Sequence, residues 1–333
     1  MAEWLLESGI GETRAALIED NRIVTALIEA DDDGPRAGMI AYARLTKIVI
    51  PGRRAIATLD DGTDMLIEPV PAGVTQGARF LAEIRRAALP EPGRAKLAVA
   101  KVAPTDAMPG PGPDLATRIA ATGHPVRTLS AFGPDALEAA GWSELIEEAI
   151  TGQCDFDGGA LRLSLTPAMT LIDVDGWLPL ADLLIAGTTA AARMIVRHDI
   201  GGSIGIDLPT VESKAARLAA AQAIDAIIPQ PFERTAVNGF GFLQIVRRRT
   251  RASLPERLQG DPAGAAARAL LRRAERTPGA GPRTISAAPS VIDRIAARPD
   301  WQGELTRRIG ATIALRPVPG IAISAGHVDA QNP

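Results

Sequence analysis

The 333-residue chain has one cysteine, Cys154, and three histidines. A lone thiol cannot close an internal disulfide or supply a multi-cysteine zinc site, so a reducing, cytoplasmic setting is expected. None of the histidines has a partner at metal-ligand spacing, which removes the common zinc motifs. Aromatic residues make up 3% of the chain, few for a protein that reads bases by stacking. No apolar run approaches about 20 residues, so no membrane-spanning helix is expected. Glu3 and Glu7 stand where a signal peptide would carry positive charge. Neither sign of charge dominates: 36 Lys and Arg against 39 Asp and Glu give −3. That excludes a surface that grips nucleic acid everywhere and leaves room for a local basic stripe. Gly201–Gly205 lacks the Lys-Ser/Thr of a phosphate loop, and there is no Gly-x-Ser-x-Gly elbow.

What remains is an ordinary globular balance, with 46% hydrophobic and 23% charged residues. The length suits about two domains and a core that needs no disulfide. Two strand-like runs, 12–18 and 22–29, flank a Glu-Asp-Asn turn. Five short strand candidates follow at 39–50, 54–59, 64–70, 78–88 and 96–102, with turns at 51–52, 60–62, 71–73 and 90–93. This spacing predicts a small barrel of OB-fold type, although 78–88 also fits a helix. A proline-rich connector spans 104–113. Beyond it the pattern turns α/β. Helices are predicted at 135–150, 181–198 and 212–227, strands at 160–165, 169–174 and 203–207, and a strand-helix unit at 234–251. Alternation of this kind predicts a largely parallel sheet. A joint at 277–282 leads into a small α/β module. Its helices are predicted at 264–276, 289–297 and 304–309 and its strands at 312–316 and 321–324, before a frayed tail at 329–333.

The chemically loaded residues are carboxylates. Asp173 and Asp175 share one strand face with Leu171, and Asp207 ends a second apolar strand. A right-handed crossover between those strands would bring Asp173 and Asp207 to one C-terminal sheet edge, where α/β sheets bind ligands. Converging carboxylates repel one another, and a bound Mg²⁺ or Mn²⁺ relieves this and can activate water against a phosphate. The same spacing also fits each aspartate capping the element that follows it. Arg247, Arg249 and Arg251, with Arg248, place four guanidiniums at the end of a predicted helix. They suit either a nucleic-acid backbone or a solvated helix C-terminus. His198 reads as a helix C-terminal residue and Cys154 as an inert thiol.

Four stretches taken together resemble the ribonuclease E/G family: 11–22 (GETRAALIEDNR), 158–175 (GGALRLSLTPAMTLIDVD), 197–207 (RHDIGGSIGID) and 238–254 (NGFGFLQIVRRRTRASL). They occur in the family's order and span most of the chain. The resemblance implies an α/β fold with a ribonuclease H-like and DNase I-like catalytic core, an inserted OB-fold barrel and a small C-terminal α/β domain. The implied division is 1–36 with 104–149, then 37–103, 150–254 and 255–333. It further implies an endoribonuclease that cuts single-stranded RNA, with Mg²⁺ (or Mn²⁺) held by Asp173 and Asp207, Asp175 assisting, and Arg247, Arg249 and Arg251 positioning the backbone.

Departures from the family pattern are specific. The stretch 255–260 (PERLQG) lacks the family's zinc-linking cysteines, so no zinc is expected and any homodimer must use another surface. Asp175 replaces an asparagine, and Thr210 stands where the family has a second aspartate. Ile56 and Met65 replace the barrel's RNA-stacking aromatics. The region after the barrel is too short for a pocket that senses a monophosphorylated RNA end. These departures favour an alternative, an RNA-binding module of the same fold with weak or no cleavage. A metabolic α/β enzyme acting on another phosphate ester fits less well, because it leaves the inserted barrel unexplained.

Overall fold

The computed structural model describes residues 1–71, 73–91, 95–279 and 281–330. Parts of the turns at 71–73 and 90–93, of the joint at 277–282 and of the tail at 329–333 lie outside them. Three strands open the chain, β1 (Glu3–Ser8), β2 (Glu12–Glu19) and β3 (Arg22–Ala30). Asp20 and Asn21 both take left-handed φ values, 49° and 60°, which gives the tight turn that matches strand twist.

The five barrel candidates form β4 (Ile40–Ile50), β5 (Arg54–Leu59), β6 (Asp64–Ile67), β7 (Arg79–Arg86) and β8 (Ala98–Val102). They close in the order β4-β5-β6-β8-β7, compatible with an OB-like barrel. The interior is narrow and filled by small side chains, six alanines among Leu45, Leu59, Met65, Ile67, Val70 and Ile84. Residues 79–86 form a strand and not a helix because Ala82 and Ile84 alternate into that core. β6 stops two residues short of Pro69, which has no N–H for a ladder.

After the connector come α1 (Leu115–Ala120), β9 (Val126–Thr128), α2 (Ala136–Ala139) and α3 (Trp142–Thr151). β9 runs parallel to β1, giving a sheet ordered β3-β2-β1-β9. The single helix predicted over 135–150 is in fact two, broken at Gly141 where φ is 94°.

The next unit holds β10 (Gln153–Phe156), β11 (Gly159–Leu165), β12 (Thr170–Gly176), α4 (Leu180–Arg197), β13 (Gly202–Asp207), α5 (Lys214–Ile227), β14 (Phe232–Arg234) and β15 (Phe242–Arg247). Its sheet runs β10-β11-β12-β13-β15-β14. The expectation of a largely parallel sheet is corrected, since β12 and β13 are its one parallel pair. Parallel strands need a crossover of a dozen or more residues, and only α4 supplies one between neighbours. The short turns around Gly158, Pro167 and Asn238 return the chain antiparallel. The strand-helix unit expected over 234–251 is likewise a hairpin followed by a loop. In β15, Leu243 and Ile245 alternate inward on a period of two. Helices α4 and α5 pack on one face of this sheet, where Ile172, Val174, Ile204 and Ile206 meet Leu184, Ile195 and Ile224.

The C-terminal region contains α6 (Leu254–Gly260), α7 (Pro262–Arg276), β16 (Arg283–Ala287), α8 (Pro289–Ala296), α9 (Pro299–Ile309), β17 (Ile313–Pro317) and β18 (His327–Ala330). The strand expected at 321–324 is a 3₁₀ turn, Ile323–Ala325, and the third strand is β18, where fraying was expected. Leu254 and Leu258 of α6 pack with Leu5, Ile23 and Trp142, so α6 belongs to the N-terminal core. Among the described residues no helix is long and apolar enough to cross a membrane.

Glu7 and Arg14 are ladder partners in β1 and β2, and their side chains are only 1% and 2% exposed. Arg14 donates to Glu7 at 2.6 Å and to Asp135 at 3.0 Å, and Arg276 of α7 donates to the other Glu7 oxygen at 2.9 Å. Removing one partner of such a buried set strands the others. Glu7→Ala is therefore expected to cost about 3 kcal/mol or more of unfolding free energy. Urea unfolding measures this, and a loss below about 1 kcal/mol, the worth of a surface pair, would show that the set does not hold the fold.

Candidate active site

The parallel ladder pairs Leu171 with Gly205, Ile172 with Ile206 and Asp173 with Asp207. Strand alternation sends Ile172, Val174, Ile204 and Ile206 toward the helices. Leu171, Asp173, Asp175, Ser203 and Asp207 therefore share the opposite face. Across the neighbouring strands Arg162 is opposite Asp173, Phe242 opposite Asp207 and Gln153 opposite Arg162. One row, Gln153–Arg162–Asp173–Asp207–Phe242, thus crosses five strands on the helix-free face. Neighbours in it are about 4.8 Å apart through the backbone.

The floor beside the carboxylates is built by a glycine. A Cβ at Gly205 would come within 2.6 Å of Phe242 Cζ and 2.9 Å of Leu171 Cδ2. Only hydrogen there lets those two apolar side chains meet over the strand. Gly241, at φ 90°, does the same for the loops, since a Cβ on it would strike the Leu208 carbonyl oxygen at 2.0 Å. It brings the turn before β15 against the segment that follows Asp207.

Among the described residues neither Asp173 nor Asp207 has an ion-pair partner, while Asp175 lies 3.9 Å from Arg162 with both groups well solvated. Partial desolvation raises the Asp173 carboxyl above the ordinary aspartate value, and the negative charges of Asp175 and Asp207 raise it further. This is the electrostatic signature of like charges held together by the fold.

Whether the residues fit Mg²⁺ is decided by the donor set. Among the described residues no group of three or more His, Cys, Asp or Glu side chains forms a ready-made metal cage. Mg²⁺ keeps several waters and is commonly bound through one or two carboxylates plus a substrate phosphate. Asp173 and Asp207 fit that mode.

The arginine cluster is elsewhere. Arg247 is opposite Gly202, at the far end of β13 from Asp207, roughly 16 Å away at about 3.3 Å per residue. Arg247 and Arg251 face Asp199 at 3.6 and 2.7 Å, and Arg249 pairs with Glu256, which also closes the capping box of α6 through Ser253. Of the four, Arg248 alone has no ion pair among the described residues. The register does not bring Arg247, Arg249 or Arg251 to the carboxylates. Thr210 donates its hydroxyl to the Phe240 carbonyl at 3.2 Å. Met65 is fully buried inside the barrel, so it cannot replace a stacking residue on the barrel surface.

His198 is buried, with Nε2 3.2 Å from Glu148, and burial lowers its pKa. Burial raises the Cys154 thiol, which accepts from Arg197 at 3.1 Å.

Sequence reasoning missed Arg162, Phe242, Trp177 and Phe240. The period-two pattern of 160–164 could have placed Arg162 on the carboxylate face. Phe242 and Phe240 depend on the 232–247 hairpin, which a helical reading hides, and Trp177 lies just past β12, where its exposure follows only from the fold. No protein-family model matches the chain, and no curated protein matches it.

A raised carboxyl favours the protonated fold. Its stabilising effect is therefore full at low pH and is lost as pH rises through the raised Asp173 value. In metal-free protein at neutral pH, Asp173→Asn is expected to raise the melting temperature slightly. Millimolar Mg²⁺ is expected to raise that of the parent and not that of the Asp173→Asn/Asp207→Asn double variant. A parent melting temperature that ignores Mg²⁺ would remove the metal reading.

Proposed function

We propose that the chain is a metal-dependent endoribonuclease of ribonuclease E/G type that hydrolyses phosphodiester bonds in single-stranded RNA. The observation that carries this reading is the pairing of Asp173 with Asp207 in the one parallel strand pair of the six-stranded sheet, unneutralised and on a helix-free sheet face. On this reading the first sheet with α1–α3 corresponds to the ribonuclease H-like part, and the six-stranded sheet to the DNase I-like part. The closed barrel corresponds to the inserted RNA-binding barrel.

Asp173 and Asp207 would hold Mg²⁺ (or Mn²⁺), which when bound supplies Lewis acidity and an activated water to a phosphodiester. The surrounding side chains do the rest. Asp175, two residues along the same face, would accept a proton from a water that attacks in line, while the P–O bond opposite the water breaks and the departing ribose oxygen takes a proton from solvent. Arg162, opposite Asp173 in the ladder, supplies positive charge where a phosphate oxygen would gain negative charge. Phe242 and Leu171 give an apolar floor on which a nucleotide can rest without water beneath it.

A second reading is a binding module with weak or no cleavage. It is favoured by Thr210, whose hydroxyl is engaged by the Phe240 carbonyl where the family carries another carboxylate.

Cleavage of an end-labelled, A/U-rich single-stranded RNA in Mg²⁺ decides between them. Internal cuts are expected, abolished by EDTA and reduced at least about a hundredfold in Asp173→Asn and in Asp207→Asn, more than loss of an outer-sphere partner costs. An uncut RNA whose band is retarded, and less so at higher salt, would establish the binding module. RNA neither cut nor bound would refute both.

A further inference from the structure

The chain has four tryptophans. Trp4, Trp142 and Trp301 are buried, whereas Trp177 is 78% exposed, and Phe240 is 84% exposed. Burying a large apolar side chain is worth roughly 1.5–3 kcal/mol. Two such rings left in water beside the Asp173–Asp207 pair therefore call for an explanation.

Both are held by ordered backbone. The Trp177 N–H donates to the Gly158 carbonyl at 3.1 Å, which fixes the chain two residues past Asp175 to the β10–β11 turn. Phe240 lies on a turn organised by Asn238, whose side-chain oxygen accepts the N–H groups of Phe240 at 2.9 Å and Phe242 at 3.0 Å. Thr210 then ties the Phe240 carbonyl to the segment following Asp207, and Leu208 donates to Gly241 at 3.1 Å. These rings are presented by pinned turns and not by loose loops, so little ordering entropy is lost when something stacks on them.

Their placement follows from the sheet. β12 ends, β13 ends and β15 begins at the same edge. Trp177 extends from the first and Phe240 precedes the last, so across the sheet they stand on either side of β13, about two strand spacings or roughly 10 Å apart, with Trp177 four residues, roughly 13 Å, beyond the Asp173–Asp207 row along its strand. A contiguous apolar patch would suit a protein partner, but here Asp207 and Thr210, at and just past the end of β13, stand between the two strands that carry the rings.

We propose that Trp177 and Phe240 are stacking platforms that grip two unpaired bases of a single-stranded nucleic acid on either side of the Asp173–Asp207 pair. This rests on the reading of that pair as a phosphodiester site and adds how the strand is held there. Bases of a duplex are stacked on one another and offer no free face, so the platforms select single strands. The arginine cluster sits at the far end of β13, with Arg247 and Arg251 held by Asp199 and Arg249 by Glu256, so stacking and not counterion release carries the grip at this edge, and its salt dependence is shallow.

Trp177 provides the test. A 2′-O-methyl oligouridylate of about ten nucleotides resists hydrolysis and is long enough for one binding path. Titrated into the full chain in Mg²⁺, it is expected to quench the exposed tryptophan, and an equal concentration of duplex is not. Anisotropy of the labelled oligomer is expected to report about tenfold weaker binding for Trp177→Ala and for Phe240→Ala, with Trp177→Phe restoring most of the loss. Unchanged melting temperatures check that these exposed substitutions leave the fold intact. Parent-like affinity in both alanine variants overturns the proposal even if the parent cleaves RNA. So does a parent dimer that Trp177→Ala converts to monomer while oligomer binding stays unchanged, since the rings would then serve a second copy. If no RNA is cut but both alanine variants lose affinity, the platforms stand and the hydrolytic reading alone fails.

Discussion

Arg14 faces Glu7 across the first hairpin with almost no access to water, and three separate parts of the chain are arranged around that pair. The Arg14 guanidinium lies 4.9 Å from the Trp142 ring of α3, Asp135 caps α2 while accepting from Arg14, and Arg276 reaches in from α7. Arg272, one turn earlier on α7, pairs with Glu12 of β2 at 2.6 Å. Taking two charges out of water is repaid only when every remaining donor and acceptor is met. The set therefore demands that β1, β2, α2, α3 and α7 arrive together. Since α3 runs directly into β10, and Glu148 of α3 accepts from Arg197 and contacts His198 at the end of α4, the same frame fixes the six-stranded sheet. The carboxylate row sits on an element whose orientation is set by charges far from it.

The two kinds of charge cluster behave oppositely. At Glu7 and Arg14 opposite charges are buried and matched, and they specify geometry. At Asp173 and Asp207 like charges are brought side by side by backbone register and left without counter-ions among the described residues. That second arrangement survives because α4 and α5 both pack on one face of the sheet, so the other face is open to water, which screens the repulsion. A third helix over that face would have forced the aspartates to find partners or lose their charge.

Local pattern determined much of this and long-range pairing the rest. The alternation in 170–176 and 202–207 is enough to place Asp173, Asp175 and Asp207 on strand faces, and one intervening helix makes those strands parallel. The barrel was legible because its turns recur at short intervals and its strands need only small inward residues. The 232–247 hairpin was not, because its apolar run is short enough to fit a helix until Asn238 is seen accepting two backbone N–H groups. Gly141 ends one helix and begins another through a left-handed φ that the surrounding composition does not reveal. The pairing of the arginine cluster was not legible for a physical reason: a run of guanidiniums reads as free charge, while its partners Asp199 and Glu256 are brought to it only by the fold. Aromatic content misled in the other direction, since a low average says nothing about which rings are buried.

These placements constrain how a polyanion could be held. With a net charge of −3 and the arginine cluster at the far end of β13, Arg162 is the cation beside the carboxylates, and the edge has little general electrostatic attraction for phosphate. A divalent cation between Asp173 and Asp207 would reverse the local sign, but only at one point. Beyond that ion and Arg162, affinity at this edge must come from contacts that ignore charge. Phe242 over Gly205 and the rings of Trp177 and Phe240 are the apolar surfaces within reach. A site built this way gains little from a long polyanion and much from a few bases free to leave their neighbours, so the same geometry that leaves the aspartates unpaired also confines the grip to a short, unpaired stretch of strand.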